Sequence, residues 1–314
     1  MKNLLKLIPL VILSIVISTS CKKGTSKGTS DPNASQHNQD VQNTKSESDN
    51  SNTDINSALT NTSGFGKNSG YGTISICGAT IDSSQQHAAI PTMTITFDGQ
   101  TVCPGPNRIR SGSIKVELIA GAHWIDQGAQ VRVTYTNYKV TFLTLNNAYV
   151  TFNGTKYLTD VNGINLLTIY LGSSTAQVRE RTYDMKVTFE NSYTSSWNCA
   201  RLSTWGINNF TDIYATVNGD TIINGKTIDS WGVTRYGTHF TTEMIVPWKS
   251  GTVCGWWAPT QGEYKSVTDN FTVSATLGVN SGGNPITSGC AYGFKLDWSL
   301  TASGLSGEIV LPYY

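Results

Sequence analysis

Charge is scarce in this sequence. Asp, Glu, Lys and Arg make up 14% of its 314 residues and nearly cancel, leaving a formal net charge of +1. A nucleic-acid partner selects for a strongly basic face, so this balance argues against that class. Histidine is rarer still, with four residues. His37, His87, His123 and His239 are scattered, with no H-E-x-x-H and no paired spacing, so no zinc-protease helix is present. No G-x-S-x-G elbow, phosphate loop or dinucleotide fingerprint occurs. No C-x-x-C occurs either, which argues against a zinc ribbon. Downstream of the first residues no amphipathic helix of ten or more residues can be read. Long hydrophobic runs are absent except for Leu4 to Ile17, and Pro9 and Ser14 interrupt that one. A spanning helix needs roughly 20 apolar residues, so this run is too short.

What is present begins at that run. Lys2 and Lys6 form a positive head, Leu4 to Ile17 an apolar middle, and Ser18-Thr19-Ser20 a small-residue exit before Cys21. That order reads as a secretory signal over residues 1–20. Residues 21–70 follow as a Ser-, Thr- and Asn-rich stretch, and Lys22 to Ser63 has no Phe, Tyr or Trp. Such a segment buries too little apolar surface to offset its ordering entropy, so a disordered tether is expected there. His37 falls within it and is set aside.

From residue 71 to 314 the composition favours strands and turns: Thr, Val, Ile, Tyr and Trp for the one, Gly and Asn for the other. Roughly 245 residues allow one large β domain or two smaller ones. Thr92 to Phe97 alternates and stops at Asp98-Gly99. Val131, Val133 and Tyr135 share one face of a strand, with Arg132, Thr134 and Thr136 on the other. Asn153-Gly154 predicts a hairpin turn, and Asn162-Gly163, Asn218-Gly219 and Asn224-Gly225 repeat the signal. The expected fold is all-β: an antiparallel meander, sandwich or barrel.

Six cysteines occur. Disulfides persist in an exported protein. Cys77 with Cys103 and Cys254 with Cys290 each bracket one loop region, and other pairings are open to the same sequence. Cys199 is the candidate free thiol, packed in the core.

Three kinds of chemistry are open to these residues. Glu180 with Asp184, or Glu190 with Glu243, could form a carboxylate pair for glycoside chemistry. Glu180 and Asp184 share a strand face by their even separation, and that face is expected to be solvated. Asp160-x-Asn162-Gly163 and Asn218-Gly219-Asp220 offer hard oxygen ligands for calcium, although the same residues are ordinary turn formers. No other cofactor is indicated. Eight tryptophans occur, and Trp248, Trp256 and Trp257 lie in or beside a Gly- and Pro-rich loop. Exposed rings there would form a sugar platform; packed rings would be core.

Two resemblances add expectations. Ser18-Thr19-Ser20-Cys21 resembles the cleavage box of bacterial lipoproteins, in which the cysteine becomes the acylated N-terminus. An aliphatic residue usually stands three places before that cysteine; here Ser18 holds the place and Ile17 precedes it. The resemblance implies a palmitate-type lipid on Cys21 and the bilayer as partner. Thr94-Ile95-Thr96-Phe97-Asp98-Gly99, the Cys103-Pro104-Gly105 loop and Arg108 to Ile114 resemble a pattern in uncharacterised β-rich lipoproteins of the Bacteroidota. That likeness covers about 92–311 and carries no activity with it. Asp220-Thr221-Ile222 resembles the site at which Bacteroidota attach O-glycans, which would place a glycan on Thr221. In that phylum acidic residues after the lipidated cysteine accompany surface export. Lys22-Lys23-Gly24 lacks them, which leans towards the periplasmic face of the outer membrane.

Together these readings give a lipid-anchored cell-envelope protein with a non-enzymatic binding or structural β domain, facing a glycan or another envelope protein. A sugar-binding lipoprotein using the loop tryptophans is the first rival. A polysaccharide hydrolase with a carboxylate pair is the second.

Overall fold

The computed structural model describes residues 32–66, 75–104, 107–163, 169, 175–209 and 211–313. The signal region and Cys21 lie outside them. Among the described residues there is one α-helix, α1 (Pro32–Asn61), and fifteen strands in a single sheet. The strands are β1 (Ala79–Asp82), β2 (Thr92–Cys103), β3 (Arg108–Ala120), β4 (Gln130–Phe142), β5 (Ala148–Asp160), β6 (Ala176–Phe189), β7 (Thr194–Asn209) and β8 (Asp212–Gly219). There follow β9 (Thr221–Ile223), β10 (Lys226–Val233), β11 (His239–Gly251), β12 (Gln261–Thr268), β13 (Phe271–Val279), β14 (Gly293–Leu300) and β15 (Ser306–Pro312).

The all-β class therefore holds, as one continuous antiparallel meander. Strand order follows the chain from β1 to β7, passes to β10, and continues to β15. β8 bridges β7 and β11, and β9 pairs with β10. Alternation explains the inner face. Val131, Val133 and Tyr135 of β4 are buried, as are Val273, Ala275 and Leu277 of β13. Apolar faces of neighbouring strands merge into one core cluster.

The stretch expected to be a disordered tether is a helix over Pro32–Asn61. None of the residues 34–61 is exposed, and the eight from Asp40 to Glu47 are all buried. The absence of aromatics and of an apolar stripe pointed to disorder, because a helix polar on every side has no face to bury against an apolar core. Here the sheet curls around the helix and meets most of it with polar groups, while Ala34, Val41, Ile55, Ala58 and Leu59 join the core cluster. His37, set aside from the sequence, packs between the rings of Phe240 and Phe271. The folded unit thus begins by residue 32 rather than near residue 71.

A line of irregularities bends the sheet. Pairing registers shift at Ser111/Ser113 between β3 and β4, at Tyr135/Tyr138 between β4 and β5, and at Asn153/Thr155 between β5 and β6. The line continues at Thr182/Met185 between β6 and β7. An extra residue in one strand raises local twist and curves the sheet. Asn137 and Asp184 carry the extra turn at φ +48° and +50°. Each has its N–H held by an asparagine of the next strand: Asn137 donates to Asn153 Oδ1 at 2.8 Å, and Asp184 to Asn198 Oδ1 at 2.9 Å. The predicted hairpin at Asn153-Gly154 is therefore corrected. β5 runs straight through that pair, whose residues serve the bulge line. Asn224-Gly225 does join two paired strands, β9 and β10.

The registers define two rims. Turns at residues 143–147, 190–193, 234–238, 269–270 and 301–305 gather at one, where Cys103 faces Arg108, Phe142 faces Ala148 and Val233 faces His239. Turns at 121–129, 251–260 and 280–292 gather at the other. α1 starts at the first rim, where Asp40 meets Arg235. It ends at the second, where Asn56 accepts a hydrogen bond from Trp124 Nε1 at 2.8 Å. Thirty residues make a helix of about 45 Å, close to the ~43 Å of a 13-residue strand such as β11.

Candidate functional site

Two arrangements concentrate chemistry: an ion-paired axis inside the sheet and an open cleft at the second rim.

The axis is built from α1 and the inward faces of the strands. The helix supplies four carboxylates and one ammonium to it. Asp40 takes a two-pronged contact from Arg235, Nε and Nη2 each at 2.6 Å, while Arg235 Nη1 reaches Glu190 at 2.7 Å. Lys45 meets Asp229 of β10 at 2.5 Å, with both side chains fully buried. Glu47 pairs with Arg108 of β3 at 2.7 Å, Asp49 with Arg201 of β7 at 2.6 Å, and Asp54 with Arg110 of β3. Buried charge is stable only when paired and hydrogen-bonded, and the helix and sheet carry opposite excesses.

Glu180 is the hub. It accepts from Ser48 and Asn52 of the helix at 2.9 Å each, and it pairs with Arg201 at 2.9 Å and Lys156 at 3.5 Å. Burial alone would raise its carboxyl, but Arg201 and Lys156 outweigh that and hold it well below the carboxylate range. Asp40 goes the other way: burial raises it to about 6, against the pull of Arg235. Burial, with the charge of Lys45 adding to it, lowers His37 to about 4. Cys199 is free and buried, as a packed core thiol, and burial, then Glu180, raises it to about 12.

The expected carboxylate pairs fare as follows. Glu180 and Asp184 do not share a solvated face, because the bulge at Asp184 breaks the alternation between them. Glu180 points into the axis and Asp184 is exposed. Glu190 belongs to the Arg235 cluster at the first rim. Glu243 lies on the outer face of β11, paired with Lys226 at 2.8 Å. The candidate calcium residues have other partners. Asp160 Oδ1 accepts from the backbone N–H groups of Asn162 and Gly163. Asp220 takes both Arg179 and Arg181. Thr221, at the start of β9, is half-buried.

The cleft has a volume of about 460 Å³, within the usual range for a small-ligand site. Its walls include Asp212 and Tyr214 of β8, Lys249 of β11, Gln261 of β12, and Thr287 and Ser288 of the β13–β14 connection. A bond between Cys254 and Cys290 joins the two loops that build it, and a second joins Cys77 to Cys103. Lys249 Nζ lies 4.6 Å above the Tyr214 ring. Trp256, in the loop that carries Cys254, packs against Trp205 with ring centroids 5.1 Å apart, both half-buried.

The expected tryptophan platform needs one correction. Trp248 is 1% exposed and belongs to the core, since alternation along β11 turns it inward with Met244. Trp256 and Trp257 lie in a turn, both half-buried. Trp257 lies over Gly255. Trp205, which the sequence reading did not single out, is the partner that the platform acquires.

Sequence reasoning also missed the axis. A signal was available: Arg108 and Arg110 fall on the same strand face as Ile114, Val116 and Leu118, and Lys156 falls between Phe152 and Leu158. A charge at a core-facing position requires a buried counter-charge. Among the described residues no helix is long and apolar enough to cross a membrane. Compared with protein families, characterised proteins and solved structures, the chain matches none.

Proposed function

We propose that this chain is a lipid-anchored protein of the bacterial cell envelope, tethered to the outer membrane through Cys21, with a non-enzymatic binding site in the cleft between the Cys254 and Cys290 loops. The observation that carries the reading is the direction of α1. Its first residues, which continue the segment from Cys21, lie at one rim, while the cleft opens at the other. An anchored domain so arranged presents its cleft away from the bilayer. The disulfide between the cleft loops supports a preformed site, which lowers the ordering cost of binding.

The non-enzymatic part of the reading draws support from the carboxylates. Glu180 is enclosed among Arg201, Lys156, Ser48 and Asn52, and Glu243 lies on the opposite face of the sheet. A hydrolase using those two acids would need them on one surface. Feeding cells an alkyne-tagged fatty acid tests the anchor: label on the wild-type chain and none on Cys21→Ala is the expected result. Label persisting in Cys21→Ala removes it. Protease treatment of intact cells tests the periplasmic orientation, which predicts that the domain survives until the outer membrane is opened.

A glycan is the ligand that a second reading favours, on the half-exposed Trp205–Trp256 pair and the hydroxyl and amide groups along the cleft. Polysaccharide binding by the full chain that falls at least ~10-fold in Trp256→Ala, about 1.4 kcal/mol, supports it. Binding only to an envelope protein removes it. A glycan on Thr221 is a separate proposal, and an intact mass without hexose increments would exclude it.

A further inference from the structure

We infer that the rim at which α1 begins is a membrane-facing surface that rests on the bilayer through apolar turn tips. The inference rests on the anchor reading and adds the part of the fold that touches lipid. Four turns of this rim carry exposed apolar or aromatic side chains, Leu143, Tyr193, Tyr236 and Leu305, and Val102 is exposed near the rim end of β2. Tyr193 and Tyr236, from the β6–β7 and β10–β11 turns, lie side by side with ring centroids 6.4 Å apart. The remaining described turn residues are chiefly Asn, Ser, Thr and Gly. The charged ones are Glu190 and Arg235, which pair with each other, and Asp269. Tyrosine rings with an apolar body and a polar tip settle at the headgroup level of a bilayer, and isolated leucines reach just below it. A rim with so little free charge would engage uncharged lipid.

Chain length selects this rim over the other. The opposite rim also exposes apolar groups, Ile90, Val253 and Tyr292. Ten residues lie between Cys21 and Pro32, and the eleven steps from one to the other, even fully extended, reach no more than about 40 Å. The axis helix is about 45 Å long. Standing the domain on its cleft rim would lift Pro32 farther from the bilayer than an acylated Cys21 allows. With the α1 entry rim down, the same residues have slack.

The test uses the full chain, acylated at Cys21, in phosphatidylcholine vesicles, compared with full-length Cys21→Ser in solution. Flotation reports attachment and hydrogen exchange reports the contact face. The expected result is co-flotation with exchange slowed several-fold at residues 143–147, 190–194, 235–239 and 301–306, and unchanged at 251–260 and 280–292. The triple variant Tyr193→Ser, Tyr236→Ser, Leu305→Ser, still acylated, should float but lose that protection. Flotation with no protection at this rim, or with protection at the cleft rim, overturns the inference and leaves the anchor reading standing. An acylated chain that fails to float overturns both.

Discussion

Glu180 and His37 show how single residues carry this fold. Glu180 balances Arg201 and Lys156 in the sheet interior while two helix side chains donate to it. Removing one member of a buried pair leaves an uncompensated charge, at about 3–5 kcal/mol. Glu180→Ala should therefore lower the urea midpoint strongly, whereas Glu243→Ala, at the surface, should stay within ~0.5 kcal/mol of wild type. His37 predicts a pH effect. Its folded value of about 4 lies below the ordinary 6.5, so the unfolded chain takes up a proton that the folded chain refuses. The contribution is complete above pH 6.5 and is lost as pH falls, at roughly 1.4 kcal/mol per unit. Asp40, raised to about 6, opposes it by taking its proton earlier in the folded state. Between pH 7 and 5, His37→Gln should lose about 2 kcal/mol less stability than wild type, as read by urea titration at each pH. At this scale the sequence was partly legible. Lys156 on an apolar strand face announced a buried partner, and Glu180 of β6 is that partner; Ser48 and Ser51, which also accept from the ammonium, lie in a segment with no periodic signal.

Among the elements, the strands were the more readable. Alternation placed the inner faces of β4 and β13, because a half-buried strand must alternate. The bulge line was not readable, since Asn153-Gly154 serves a hairpin and a bulge equally well and only neighbouring strands decide between them. Gly112 tests the line. Its φ is +84°, and a Cβ there would lie 2.1 Å from the carbonyl oxygen of Asn137. Gly112→Ala should cost upwards of about 2 kcal/mol. Gly128 has φ +80° with open space around it, so Gly128→Ala should cost about 1–2 kcal/mol and stay the milder of the two. Thermal melts of both variants separate the clash from the backbone cost. α1 was the least readable element. Asn, Ser, Thr and Asp are mediocre helix formers, and its helicity is fixed by the polar lining of the sheet.

For the whole molecule, α1 stands where a sandwich or barrel would have a second apolar layer. Deleting residues 32–61 would take a charge partner from Arg108, Arg110, Arg201, Arg235 and Asp229 and leave them in an open interior. The remaining strands should then fail to form a cooperative unit, seen as the loss of a sigmoidal melt and of dispersed amide NMR signals. A retained cooperative melt would mean that the sheet folds without its axis. The cleft at one rim was only half legible. Its cysteines bracket loops, but its floor comes from β8, β11 and β13, which sequence distance keeps apart.

The length of chain spanned by α1 contacts also governs when the protein can assemble. The helix leaves the ribosome before the strands, yet His37 bonds to Ser266, 229 positions later, and Gln42 donates to Tyr264 at a similar remove. Until β12 has emerged the segment lacks much of its lining, and with so few apolar groups it cannot collapse on its own. Enclosure of the helix is therefore a late step of high sequence separation, which makes it slow. The α1 segment of a nascent chain of this design therefore waits unfolded while strands that will later enclose it are still being made.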